Sequence, residues 1–142
     1  MKLSDIKIDH KRGESKLGEW VNSIPDLPGI RIRARGTNNS DYRIREAQLV
    51  REIPRAQRVE GISPEDQDRI AGILLLDTVV VDVEGLEGED KTPLKYTREL
   101  GEQLLLDPDF KAFQAGCAYA GSVVAQRRGA DEALEAKNSQ TS

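Results

Sequence analysis

Residues 74–88, LLLDTVVVDVEGLEG, decide how this chain folds, because two secondary structures compete along them. The leucines continue a helical pattern that starts after Ser63. The β-branched residues between Val79 and Val83 also fit a buried strand. We expect the helix to run on through Val81, and the strand stays open as the alternative.

A helix start precedes this stretch, in ISPEDQDRI at 62–70. Ser63 is the candidate N-cap, and Pro64 takes the first helical position, where its missing N–H costs nothing. Asp66 stands at the third position, where a carboxylate can close a capping box. The sequence therefore predicts a helix from Pro64.

Five acidic residues follow between Asp82 and Asp90. Their oxygens suit calcium, but an EF-hand loop that begins at Asp82 would need glycine where Glu87 stands. We expect neither a metal site nor a cofactor here. The acidic stretch instead predicts a solvated connector between two helices.

The best strand pattern lies upstream, in GIRIRARG at 29–36, where apolar residues alternate with arginine. With GEWVNSI at 18–24 and the intervening turn, it predicts a β-hairpin. The loop that follows ends in a helix N-cap, Ser40 or Asp41. That helix ends or bends at Pro54.

Downstream, Thr97 is placed to cap a short helix that ends in the leucine run 104–106. Asp107 and Pro108 then repeat the combination of cap and proline, and they open a last helix from about 108 to 126. Together the elements predict an α+β fold, predominantly α-helical, with a small N-terminal β-hairpin packed on a bundle of about four helices. We expect a flexible arm at 1–17, a single globular domain at 18–126 and a polar, disordered tail at 127–142.

Charge is distributed unevenly over the 142 residues, whose net charge is −4. Residues 31–58 carry eight arginines and three acids, whereas residues 59–110 carry fourteen acids and four basic residues. Such asymmetry favours complementary surfaces within the fold or between copies, so we expect a homo-oligomer. A single cysteine, no signal peptide and no long apolar run indicate a soluble intracellular protein without a membrane span.

Catalytic side chains are scarce. Asp77 is the one acid in a strongly apolar context, and we expect it to face solvent or to pair with an arginine of the basic half. His10 and Cys117 are far apart in sequence, and nothing brings them together as a nucleophilic pair. We expect that the protein is not an enzyme and that it has no catalytic residues.

Nucleic-acid binding has more support in the sequence. Arg31, Arg33 and Arg35 would share one strand face, and five further arginines follow by residue 58. However, no aromatic residues are interleaved with them, and the pI is about 5.1. We expect an exposed strand face with salt bridges to the acidic middle, and no nucleic-acid partner.

The order of three short motifs is more specific than any one of them. They are DVEGL at 82–86, PLKYT at 93–97 and DPDF at 107–110. In this order, residues 18–125 resemble the tail assembly chaperones of long-tailed (siphovirus-type) bacteriophages. The chain departs from that pattern at Val83, where tryptophan is usual, and in its Ala/Gly-rich last helix.

The resemblance implies a non-enzymatic protein of the host cell cytoplasm, acting in virion morphogenesis. Such a chaperone binds the tape measure protein and recruits tail tube subunits. Recognition of a helix in an apolar groove suits this role. We expect the leucine run at 104–106 and the last helix to supply the partner-binding residues, which are Leu104, Leu105, Phe110, Phe113, Tyr119 and Val123.

A structural virion component is the alternative function. A head-tail joining or tail completion protein would also be small, non-enzymatic and oligomeric. Its presence in purified particles would separate it from an assembly chaperone.

Overall fold

The computed structural model describes the backbone of residues 16–141 and the side chains of residues 16–127. This part of the chain contains a three-stranded sheet and five α-helices, so the predicted α+β, predominantly helical fold is confirmed. In chain order the elements are β1 (Glu19–Val21), β2 (Arg31–Ala34), α1 (Ser40–Glu52), α2 (Arg55–Val59), α3 (Pro64–Leu74), a π-helical turn (Leu75–Val79), β3 (Val80–Glu84), α4 (Arg98–Leu106), a 3-10 turn (Pro108–Phe110) and α5 (Lys111–Thr141).

The sheet is antiparallel with the order β1-β2-β3. β1 pairs with β2 through Val21 opposite Ile32, which confirms the predicted hairpin. β3 pairs with the other side of β2 through Val83 opposite Ile32, and the register shifts between Arg33 and Ala34. Ile32 of β2 is buried together with Val21 and Val83, the residues that pair with it on either side, so the centre of the sheet faces the core.

Of the two secondary structures predicted along residues 74–88, the structure shows the strand. α3 stops at Leu74, one π-helical turn follows, and β3 begins at Val80. The expected helix through Val81 is wrong, and so is the expected connector between helices, because its first residues form β3. Stiff β-branched side chains favour the extended backbone there, and β2 supplies a strand for them to pair with.

The predicted helix caps at Ser63 and Thr97 agree with the structure. Ser63 Oγ accepts a hydrogen bond from Asp66 N at 3.2 Å, and Thr97 Oγ1 accepts one from Leu100 N at 3.2 Å. The cap of α1 is Asn39, so the prediction of Ser40 or Asp41 is wrong. Asn39 has an additional role, since its buried amide also bonds to backbone outside the helix.

The last helix differs in both bounds from its prediction. Asp107 caps the 3-10 turn, and α5 begins only at Lys111. Its backbone is helical to Thr141, so the predicted end near 126 is wrong. The arm at 1–17 lies almost wholly outside the described residues, and the proposed domain limits stay predictions.

Two apolar clusters hold these elements together. The larger lies between the sheet, the π-helical turn, α4 and α5, and the smaller joins α1 to α3. The smaller consists of Leu49, Ile53, Ile70 and Leu74. Helix α5 packs closely because Gly121 has no side chain, and a Cβ there would lie 2.9 Å from a methyl of Val79.

Candidate partner-binding surface

The six residues predicted to bind a partner are divided between core and surface. Leu104, Leu105 and Phe113 are buried in the larger cluster. Phe110 and Val123 are partly buried and pack against the same cluster. Tyr119 is exposed, at 40% of its full accessibility. Of these six residues, only Tyr119 is exposed to a partner in this conformation.

The leucine run itself provides a further exposed residue. Leu106 is 46% exposed, whereas Leu104 and Leu105 point into the core. Three consecutive leucines lie on different sides of a helix, so their sequence alone does not say which one faces outward. The packing of α4 decides this, because its contact with the larger cluster buries Leu104 and Leu105 and leaves Leu106 outside.

Leu106 lies in a cleft between α3 and the junction of α4 with α5. The cleft has a volume of about 290 Å³. Its apolar floor includes Leu105, Leu106 and Pro108, and its rim carries polar and charged side chains of α3 and α5. The rim residues are Glu65, Asp68, Arg69, Lys111 and Gln114. We call this feature the α3–α4 cleft.

Two contacts give the α3–α4 cleft its shape. Gly72 lets α3 approach α4 closely, since a Cβ at that position would overlap the carbonyl oxygen of Leu105. Gln114 Nε2 donates to the backbone oxygen of Asp107 at 2.9 Å, which ties the start of α5 to the end of α4. Neither contact joins neighbours in sequence, so local patterns do not reveal the cleft.

Two arginines of the basic half make ionic contacts within the fold. Arg31 pairs with Glu84 at 2.8 Å and lies over the ring of Trp20, 4.7 Å from its centroid. Arg35 is buried beside Asp41, with 2.9 Å between the charged atoms. The expected pairing between the basic half and the acidic middle is confirmed for Arg31. These contacts reduce the charge available to a nucleic-acid backbone.

Asp77 joins three elements through its carboxylate. Arg45 of α1 donates to Oδ2 at 3.1 Å, and Arg98 of α4 lies 2.6 Å from Oδ1. The bond to Asp77 raises the pKa of Arg98 above its ordinary value. The expectation that Asp77 pairs with an arginine of the basic half is confirmed.

The loop of acidic residues after β3 is a small hairpin held by its backbone. Leu94 N donates to Leu86 O at 2.8 Å, and Gly88 N donates to Thr92 O at 2.9 Å. Hydrogen bonds from Thr92 hold the pKa of Asp90 below its ordinary value. Within residues 16–127, no group of three or more His, Cys, Asp or Glu side chains could hold a metal ion.

Cys117 is fully buried, and burial raises the pKa of its thiol to about 12. Burial likewise raises the pKa of Tyr96 to about 12. His10 lies outside the described residues. Within the described part of the chain, Cys117 therefore fills space in a packed helix interface, as its Ala/Gly-rich neighbours predict.

Residues 37–138 match the family described as YdaY prophage protein. The chain belongs to the YdaY prophage protein family. The match begins just before α1 and extends into α5, so it contains β3, the π-helical turn and the whole α3–α4 cleft. It supports a phage origin without specifying a role in the tail.

Two further comparisons found no match. No curated protein and no solved structure is similar enough to this chain to be matched. Within the described part of the chain, no helix has the length and apolar character needed to cross a bilayer.

Proposed function

We propose that this prophage protein is a tail assembly chaperone, which binds the tape measure protein and recruits tail tube subunits in the host cytoplasm. The proposal rests on one observation above the rest. A chain of phage origin carries a cleft with an apolar floor, in which Leu106 is exposed. Binding through such a cleft needs neither a catalytic group nor a cofactor.

The cleft suits the chemistry of the proposed partner. Amphipathic helices are recognised by apolar grooves that accept side chains spaced by three or four residues. Leu106 and Pro108 supply an apolar floor, and the rim offers both acidic and basic side chains to polar neighbours. Tyr119 adds an exposed aromatic residue farther along α5. Copies of the chaperone would cover successive segments of the partner, in keeping with the proposed homo-oligomer.

The test is co-expression of the full chain with the tape measure protein encoded in the same prophage. We expect the chain to raise the soluble fraction of that partner and to purify with it. Leu106→Glu should abolish the effect by placing a charge in the cleft. Val59→Glu is the matched control, because Val59 is 82% exposed and lies on α2, outside the cleft.

Each result bears on the proposal. A tape measure protein that stays insoluble beside the wild-type chain would refute the chaperone role. Co-purification that survives Leu106→Glu would keep the role and exclude the α3–α4 cleft as its site. Detection of the chain in purified particles would instead favour a structural virion component.

A further inference from the structure

The charged residues that line the α3–α4 cleft are divided between its two walls. Glu65, Asp68 and Arg69 belong to α3, and Lys111 belongs to α5. Spacings of three and four residues place the three side chains of α3 on one face of that helix. All four residues are exposed, so they would meet the polar flanks of a segment bound in the cleft.

The α3 wall is acidic, because its one cation already has a counter-charge on the same helix. Arg69 Nη2 lies 3.5 Å from Asp66 Oδ1, one turn earlier. Within residues 16–127, neither Glu65 nor Asp68 forms a salt bridge. The wall therefore presents two carboxylates whose charge is open to a partner.

The α5 wall carries less charge. Among the residues that line the cleft, Lys111 is the charged one on α5, and Gln114 is bound to the backbone oxygen of Asp107. Two open carboxylates thus face one ammonium group. The cleft also lies in the acidic part of the sequence, since residues 59–110 carry fourteen acids and four basic residues. This excess of negative charge favours a basic occupant.

The floor between the walls is apolar. Leu106 is 46% exposed there, and Pro108 beside it has no N–H to donate. The walls come closest at Gly72, where a Cβ would overlap the carbonyl oxygen of Leu105. Apolar contact in the middle and negative charge along the α3 side are the features that an occupant has to match.

We propose that the occupant of the α3–α4 cleft is an amphipathic helix of a partner protein, with Lys or Arg bordering its apolar stripe on the side that faces α3. Its apolar side chains cover Leu106, and its cations lie against Glu65 and Asp68. The apolar contact gives such a helix its affinity, and the charges give it specificity. This inference rests on the proposed function, for which it names the chemistry of the partner segment.

The test measures binding of two labelled helical peptides to the full-length chain by fluorescence anisotropy. Both peptides carry the same leucine stripe with glutamine along one flank. The other flank is lysine in the first peptide and glutamate in the second. We expect the lysine peptide to bind about fivefold more tightly, since exposed ion pairs are individually weak. Added salt should reduce this ratio, because it screens charges at the surface.

Protein variants then locate the contact. Glu65→Lys combined with Asp68→Lys should reverse the preference, so that the glutamate peptide binds more tightly. Glu87→Lys combined with Glu89→Lys changes the net charge equally but lies on the acidic loop outside the cleft, and it should keep the wild-type preference. Leu106→Ala should weaken both peptides alike. All four acids are exposed, so neither double variant removes a buried contact.

Three results would overturn the inference. These are equal binding of the two peptides to the wild type, no detectable binding of the lysine peptide, and an equal change of preference in the two double variants. A wild-type dimer that Leu106→Ala dissociates, measured by size-exclusion chromatography with light scattering, would also overturn it. In that case a second copy occupies the cleft.

Failure of the inference and failure of the proposed function give different results. If the wild type and the Glu65→Lys, Asp68→Lys variant solubilise the tape measure protein equally, the chaperone role stands and the inference falls. If the wild type does not solubilise that protein but the peptide preference and its reversal are observed, the cleft keeps its basic helical partner and the chaperone role falls.

Discussion

Replacing Asn39 should cost more stability than the loss of a helix cap, because its side chain connects α1 to the π-helical turn. Asn39 is completely buried. Its Oδ1 accepts from Tyr42 N at 2.8 Å, and its Nδ2 donates to Gly36 O at 2.7 Å and to Thr78 O at 2.9 Å. Only the first of these bonds is a capping bond.

The magnitude follows from the three bonds. The cap contributes about 1 kcal/mol. The backbone oxygen of Thr78, a buried residue, loses a hydrogen-bond donor, which costs about 1–2 kcal/mol. Gly36 O keeps a second donor, the backbone N–H of Asn39, so losing the bond from Asn39 Nδ2 adds less than about 1 kcal/mol. Asn39→Ala should therefore lower the free energy of unfolding by about 3 kcal/mol.

Asn39→Asp separates the two roles of the side chain. Aspartate caps helices as well as asparagine does, but it has no N–H to donate and would bury a charge. We expect Asn39→Asp to destabilise the chain at least as much as Asn39→Ala. Ser63→Ala, which removes an exposed cap, is the control and should cost about 0.5–1 kcal/mol.

The assay is equilibrium urea unfolding followed by far-ultraviolet circular dichroism, with free energies obtained by linear extrapolation. A loss of about 3 kcal/mol is readily measured against a total stability of about 5–15 kcal/mol. If Asn39→Asp is as stable as the wild type, the side chain acts as a cap alone, and the bridge to Thr78 contributes nothing.

Three further predictions concern buried groups. Cys117 should not react with a disulfide reagent at pH 8 in the native chain and should react fully in urea, because its thiol is buried with a pKa of about 12; native reaction at the rate of a free thiol would contradict this. Gly121→Ala should destabilise the chain by about 1–3 kcal/mol, since the new methyl meets packed side chains. The control Ala118→Val changes an exposed residue and should alter the free energy of unfolding by no more than about 0.5 kcal/mol. A gain in stability at Gly121 would mean that helix propensity outweighs packing. The pKa of Tyr96 is raised from 10.0 to about 12 in the folded chain, so the stability it contributes is present below pH 10 and is lost as the pH rises toward 12. Tyr96→Phe should flatten this part of the pH profile of urea midpoints. Identical profiles for the variant and the wild type would refute the assignment of this pH dependence to Tyr96.

Local patterns predicted much of the secondary structure because their causes are local. The caps at Ser63 and Thr97 depend on a side chain and a backbone N–H only three residues away. The hairpin of β1 and β2 follows from the alternation in residues 29–36 and from the turn that precedes them. The partner-binding prediction was less informative, because a leucine run indicates burial without saying which leucine remains exposed.

The sequence by itself determined the starts of α3 and α4, the hairpin and the predominance of helix, since each depends mainly on contacts between near neighbours. Only the tertiary structure decided that Val80–Glu84 form a third strand, because β2 supplies a strand with which they pair. It also decided the position of Asp77 between Arg45 and Arg98, which come from helices far apart in the chain. The α3–α4 cleft arises in the same way. Its walls come from elements distant in sequence, so no local pattern contains it.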